Sequence, residues 1–81
     1  MSKFKNLSGN DLVKIFSLFE FSVISQNGSH IKLRRIDINN NKQTLIIPNH
    51  KSIDKGLMKG IFKQASLYIS DNQIRHHFYT D

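Results

Sequence analysis

Gln26-Asn27-Gly28-Ser29-His30-Ile31-Lys32-Leu33-Arg34-Arg35 is the stretch that decides the fold. Asn27-Gly28 predicts a two-residue hairpin turn, because both residue types tolerate positive φ. After the turn the chain alternates. Ile31 and Leu33 point one way, and His30, Lys32 and Arg34 point the other, since successive side chains of a strand take opposite faces. Before the turn, Phe21, Val23 and Ser25 alternate with Ser22, Ile24 and Gln26, in a segment rich in strand formers. The hairpin therefore joins a first strand to a second one running from Ser29 to about Asp37. One of its faces is apolar, and the other carries an imidazole and a row of cations.

Outward from the hairpin, the flanking elements follow. Ser8 and Asp11 have the spacing of a capping box, and Asp11 favours the positive end of a helix dipole. Leu12, Ile15, Phe16 and Phe19 then recur at helical spacing, so a first helix is expected over about 8–20. Residues 1–7 read as a short leader with two lysines. Past a polar loop at 39–42, Gln43-Thr44-Leu45-Ile46-Ile47 is a third strand, which Pro48 ends by removing a ladder donor. Ser52 or Asp54 can cap a second helix of about 54–66, with Leu57, Met58, Ile61, Phe62 and Ala65 as its apolar stripe. Gly60 costs that helix stability against Ala, which suggests a close approach there. Ser70-Asp71-Asn72-Gln73 resembles another capping box, opening a short helix that runs to about Phe78. The expected fold is α+β: a three-stranded antiparallel sheet with two helices on one face, in the order α-β-β-β-α, plus a short C-terminal helix. The sequence reads as one domain, 1–81.

Composition narrows the function. The 81 residues hold no Cys, which excludes disulfides and thiolate metal sites. No apolar run approaches the roughly 20 residues of a membrane span, and the basic N-terminus leads into Asn6, not an apolar core. A cytoplasmic protein with no membrane partner is the expectation. The net charge of +6 attracts polyanions and would make RNA or DNA binding salt-dependent. The same charge also suits plain solubility.

His30 is the leading candidate for chemistry, because histidine can give or take a proton near neutrality. The bland alternative is an exposed strand histidine. Against it stand the turn that fixes its position, the Ser29 hydroxyl beside it, and Lys32 and Arg34 on its own face, where they could bind a phosphate and stabilise added negative charge. His50, just past the third strand, and Tyr68 are candidate partner groups. His76-His77 are adjacent, so they lack the i, i+4 spacing of a helical zinc site. The six acids, Asp11, Glu20, Asp37, Asp54, Asp71 and Asp81, are spread thinly, and no metal site is expected. Lys55, Lys59 and Lys63 recur on one helix face; they are either a solvated surface or a phosphate-tracking one.

Several blocks together resemble one known family. Gln26-x-Gly28-Ser29-His30 at the hairpin, Ser8-Gly9 at the first helix, Ile46-Ile47-Pro48-x-His50 after the sheet, and Lys55-Gly56-Leu57-Met58-Lys59-Gly60-Ile61-Phe62-Lys63-Gln64-Ala65 are similar to the HicA-type mRNA interferase toxins. The resemblance covers about residues 8–70. It implies a fold like the double-stranded-RNA-binding domain and a metal-independent, cofactor-free endoribonuclease that cuts mRNA. It implies His30 as the catalytic residue. It also implies a HicB-type antitoxin partner that blocks the site, with oligomers formed through that antitoxin. The chain departs from the family pattern at Glu20, where a Gly is usual, at Leu57 for Thr, and at Ser66 for Gly.

The resulting expectation is a toxin in which His30 transfers the proton. Gly28 permits the turn, while Ser29, Lys32, Arg34, Lys55 and Lys59 contact RNA. A non-catalytic double-stranded-RNA-binding module of the same fold is the alternative. A purely protein-binding domain, docking through the open sheet face, is a third.

Overall fold

A computed structural model describes residues 3–80. Its elements are β1 (Lys3–Phe4), α1 (Gly9–Ser17), β2 (Ser22–Asn27), β3 (His30–Ile36), β4 (Lys42–Pro48), α2 (Lys55–Ala65), α3 (Asp71–Phe78) and β5 (Tyr79–Thr80). β2, β3 and β4 form an antiparallel sheet in that order. Ile31, Leu33, Leu45 and Ile47 on one sheet face bury into a core shared with Leu12 and Phe16 of α1, Met58, Ile61 and Ala65 of α2, and Ile74 and Phe78 of α3. The helices thus cover one face, as the apolar stripes require, and leave the other open.

α1 begins as expected. Ser8 Oγ accepts from the Asp11 N–H, and Asp11 Oδ2 accepts from the Ser8 N–H. These bonds hold the Asp11 carboxyl below its ordinary pKa, the backbone N–H of Ser8 acting most strongly. The helix ends earlier than its stripe suggested. Glu20 takes φ +72°, and the N–H groups of Glu20 and Phe21 donate back to the carbonyls of Ser17 and Phe16. This is a Schellman closure, completed by edge-on packing of Phe16 against Phe21 at 6.0 Å. The position that departs from the usual glycine is thus the one where the backbone is left-handed.

Four other expectations need correction. The supposed leader is partly a strand: Lys3 pairs with Thr80 and Phe4 with Tyr79, and the two rings stack at 4.4 Å. No alternation marks so short a strand, and its partner lies at the far end of the sequence. The hairpin loop is Gly28-Ser29 instead of Asn27-Gly28; only Gly28 has positive φ, at +60°, the pattern of a glycine-first turn. Ser70 opens α3 without a side-chain bond to its backbone, because Ser70 Oγ engages the Gln73 side chain instead. Nothing approaches Gly60: a Cβ built there meets no atom within 4 Å. Asp54, and not Ser52, caps α2.

The expected alternation of β2 also breaks. The register shifts between Val23 and Ser25, leaving Ile24 as an extra, unpaired residue. Beyond this bulge, Ser25 and not Ile24 lies opposite Lys32. The open face is therefore polar where a regular strand would have placed an isoleucine.

Candidate functional site

The open sheet face is a grid set by strand register. Its first row is Asn27, His30 and Pro48; its second is Ser25, Lys32 and Ile46; its third is Ser22, Arg34 and Thr44. Directly opposed side chains in such rows lie roughly 5 Å apart at Cβ. The grid holds two cations and no carboxylate. His30 is exposed, while Lys32 and Arg34 are half-buried. Arg34 Nε donates to Thr44 Oγ1 at 3.1 Å, which steadies the guanidinium on this face.

Two cavities meet at His30. One, of about 330 Å³, is lined by Ser25, Asn27, His30, Lys32 and Ile46. The other, of about 370 Å³, opens where α2 passes the edge of β4, between His30, Pro48, Leu57 and the glycines of α2. Ile46 and Leu57 line it and keep 39% and 44% of their surface open. The edge of β4 itself is occupied. The Ile46 N–H donates to Gln64 Oε1 at 2.9 Å, and Gln64 Nε2 donates back to the Ile46 carbonyl at 3.4 Å. The Gln64 amide thereby substitutes for a neighbouring strand. Nothing in the spacing of Gln64 announced this role, though a Gln beside an apolar stripe and facing a strand end is the chemistry that allows it.

The residues singled out from sequence divide into two groups. Gly28, Ser29, His30, Lys32 and Arg34 fall on or beside one surface. Lys55 and Lys59 are exposed, and each precedes a glycine that lines the second cavity. His50 and Tyr68 are not brought to His30. His50 lines a separate cavity with Ser8, Asn10, Asn49 and Lys51. Tyr68 is half-buried beside Phe21, and its carbonyl accepts from Arg35. His76 and His77 sit on α3 with ring centroids 4.1 Å apart, and His77 packs edge-on against Phe19. Among the described residues no three His, Asp or Glu side chains come together in a metal-binding group.

Arg35 is the residue that sequence reasoning passed over. It follows the alternation onto the helix-covered side. There its guanidinium donates to the Phe19 carbonyl at 2.9 Å, to the Tyr68 carbonyl at 2.8 Å and to the Gln43 side chain, and it lies over the Phe21 ring. One cation of the basic strand is therefore a clamp between sheet and helix ends. Its parity with Ile31 and Leu33 was the available signal.

A sheet of three antiparallel strands, covered on one side by helices and bearing a basic open face, defines a small α+β protein of the double-stranded-RNA-binding-domain type. Residues 9–67 match the family described as the HicA toxin of bacterial toxin-antitoxin, and the chain belongs to that family. It is thus the toxin component of a toxin–antitoxin pair. No curated protein and no solved structure matches the chain. Among the described residues no helix is long and apolar enough to cross a membrane.

Proposed function

We propose that this toxin is a metal-independent endoribonuclease that cleaves mRNA, with His30 as the proton-transfer group. The observation that carries the reading is the face shared by His30, Lys32 and Arg34, on which His30 and Lys32 line a cavity that has no carboxylate in its lining. A phosphodiester bound there meets cations where negative charge grows in the transition state. The imidazole takes the proton of the 2′-OH, the 2′-oxygen attacks the adjacent phosphorus, and the bond to the 5′-oxygen breaks. The 5′-oxygen leaves with a proton from the imidazolium or from solvent. The products are a 2′,3′-cyclic phosphate and a 5′-hydroxyl. Gly28 sets the turn that presents His30, Ser29 contributes a hydroxyl beside it, and Lys55 and Lys59 extend the phosphate contacts along α2.

The HicA family also supports a HicB-type antitoxin as partner. An antitoxin covering His30 and its cavity would exclude RNA, and oligomers would form through it.

The test is cleavage of a long RNA in EDTA by the wild type and by His30→Ala. Cleavage by the wild type alone, with cyclic-phosphate ends, is the expected result. Equal cleavage by both proteins removes His30 from the chemistry, and loss of wild-type cleavage in EDTA removes the metal-free mechanism.

One observation favours a second reading, a module that binds RNA without cutting it. The side-chain hydrogen bonds of this face join Arg34 to Thr44 and Gln64 to Ile46, and among the described residues none orients the His30 imidazole. A catalytic base is usually held by a third group. RNA binding with no product under any condition, and a modest affinity loss in His30→Ala, would establish this reading.

A further inference from the structure

The proposed reaction uses one of the two cavities at His30, and the other is built differently. His30 and Ile46 are walls of both. The second cavity continues between Pro48 and Leu57, and Gly56 and Gly60 stand four residues apart on the side of α2 that borders it. Neither glycine is required by the fold. Both lie in regular helix, a Cβ at Gly60 would meet nothing within 4 Å, and one at Gly56 would meet only the Asp54 side chain at 3.4 Å. Gly60 lies in mid-helix, where glycine costs stability, and Gly56 in the first turn, and packing gives no reason for either. Their effect is to widen a slot whose walls are the apolar side chains of Leu57, Ile46 and Pro48.

We propose that this slot receives one unstacked nucleobase of an RNA strand, the adjoining phosphate lying against His30, Lys32 and Arg34. The assignment rests on the RNA reading given above and adds the form of the substrate, which must be single-stranded at that point. Charge and connectivity argue for it. The two cavities share two walls, as the base and phosphate of one nucleotide share a sugar. No carboxylate lines either cavity, Lys32 lines the first, and Lys55 and Lys59 precede the two glycines. An anionic ligand carrying a flat, largely apolar appendage fits this combination. A base in a duplex is stacked and paired, and cannot enter, whereas a single strand can splay a base out of its stack, here between aliphatic walls with the His30 ring at one side.

The experiment measures binding of the full chain to a short, fully 2′-O-methylated RNA strand, which is not cleaved. Its perfect duplex, and the same strand made abasic at successive positions, are measured alongside. The wild type is expected to prefer the strand to the duplex, and one abasic position should weaken binding about tenfold. Gly60→Leu fills the slot from a position with open space around it. It should weaken the intact strand about tenfold, leave the duplex unchanged and abolish the abasic penalty. Gly60→Ala should bind as the wild type, and Leu57→Ala, which removes a wall, should lose strand affinity selectively. Melting temperatures establish that each variant is folded. The base site is overturned if no abasic position matters, or if Gly60→Leu binds the strand like the wild type. It is overturned equally if Gly60→Leu weakens strand and duplex alike, which reduces α2 to a phosphate-tracking face. If that variant keeps RNA but loses a Leu-containing acidic peptide that the wild type binds, the slot belongs to a polypeptide. If the wild type binds no RNA at all, the RNA reading fails and the base site with it.

Discussion

The backbone N–H of Gly9 donates to the carbonyl of His50 at 2.8 Å, and this close approach leaves no room for a side chain at residue 9. A methyl group there would overlap the Pro48 carbonyl oxygen and come within 3.0 Å of the Asn49 Cα. Both obstacles are backbone, so the helix or the loop must move. Gly9→Ala is expected to destabilise the protein by about 1–3 kcal/mol, read as a lower urea midpoint at unchanged slope. Because Pro48 pairs with His30, RNA cleavage should fall in the same variant beyond the loss expected from its unfolded fraction.

Glu20 gives the opposite expectation. Its φ of +72° is a conformation that an L side chain resists and glycine does not. Glu20→Gly should relieve that strain and raise stability by about 0.5–1 kcal/mol net of the added chain entropy. Thermal unfolding should show a gain of about 4 °C; an unchanged or lower melting temperature would contradict the account.

Arg34 and Arg35 are neighbours with opposite duties. Arg35→Met would leave the Phe19 and Tyr68 carbonyls without their donors and should cost about 2–3 kcal/mol. It should leave the salt dependence of RNA binding as it is. Arg34→Met should change stability by less than about 1 kcal/mol and reduce the slope of log affinity against log salt by about one. Denaturation and salt titration of the two variants separate the roles, and similar behaviour of both would refute the division.

His77 makes stability depend on pH. Burial, with the Phe19 ring packed beside it, lowers its pKa below the ordinary 6.5, helped by the nearby charges of His76 and Lys5. The unfolded chain therefore takes up a proton at a pH where the folded one does not. Stability is full above about pH 6.5 and declines as the pH falls toward the lowered folded-state value. His77→Phe keeps an aromatic ring against Phe19 and removes the proton. Its melting temperature should change less than that of the wild type between about pH 7 and pH 5.

Much of this architecture was legible because it rests on local rules. The Ser8–Asp11 box, the alternation of Ile31 and Leu33 with Lys32 and Arg34, and the stripe Met58–Ile61–Ala65 each follow from spacing alone. The pieces that were not legible depend on contacts between distant segments. β1 exists only because β5 is there to pair with it. The bulge at Ile24 is imposed by pairing with β3, and it decides that Ser25 faces the site. For the candidate site, strand parity placed His30, Lys32 and Arg34 together correctly. The cavity beside them needed α2 to be docked along β4, which no periodicity encodes.

That docking has a consequence for how copies of the chain could assemble. A sheet of three strands ordinarily has two borders open to strand addition, and two open borders permit endless growth. Here Gln64 fills one border at Ile46, while the outer border of β2 pairs with no other segment among the described residues. An incoming strand at the β4 border would have to displace this amide, whereas one at the β2 border would displace none. The side-chain amide of one glutamine thus withholds from any incoming strand the two backbone groups of Ile46 that it would otherwise use.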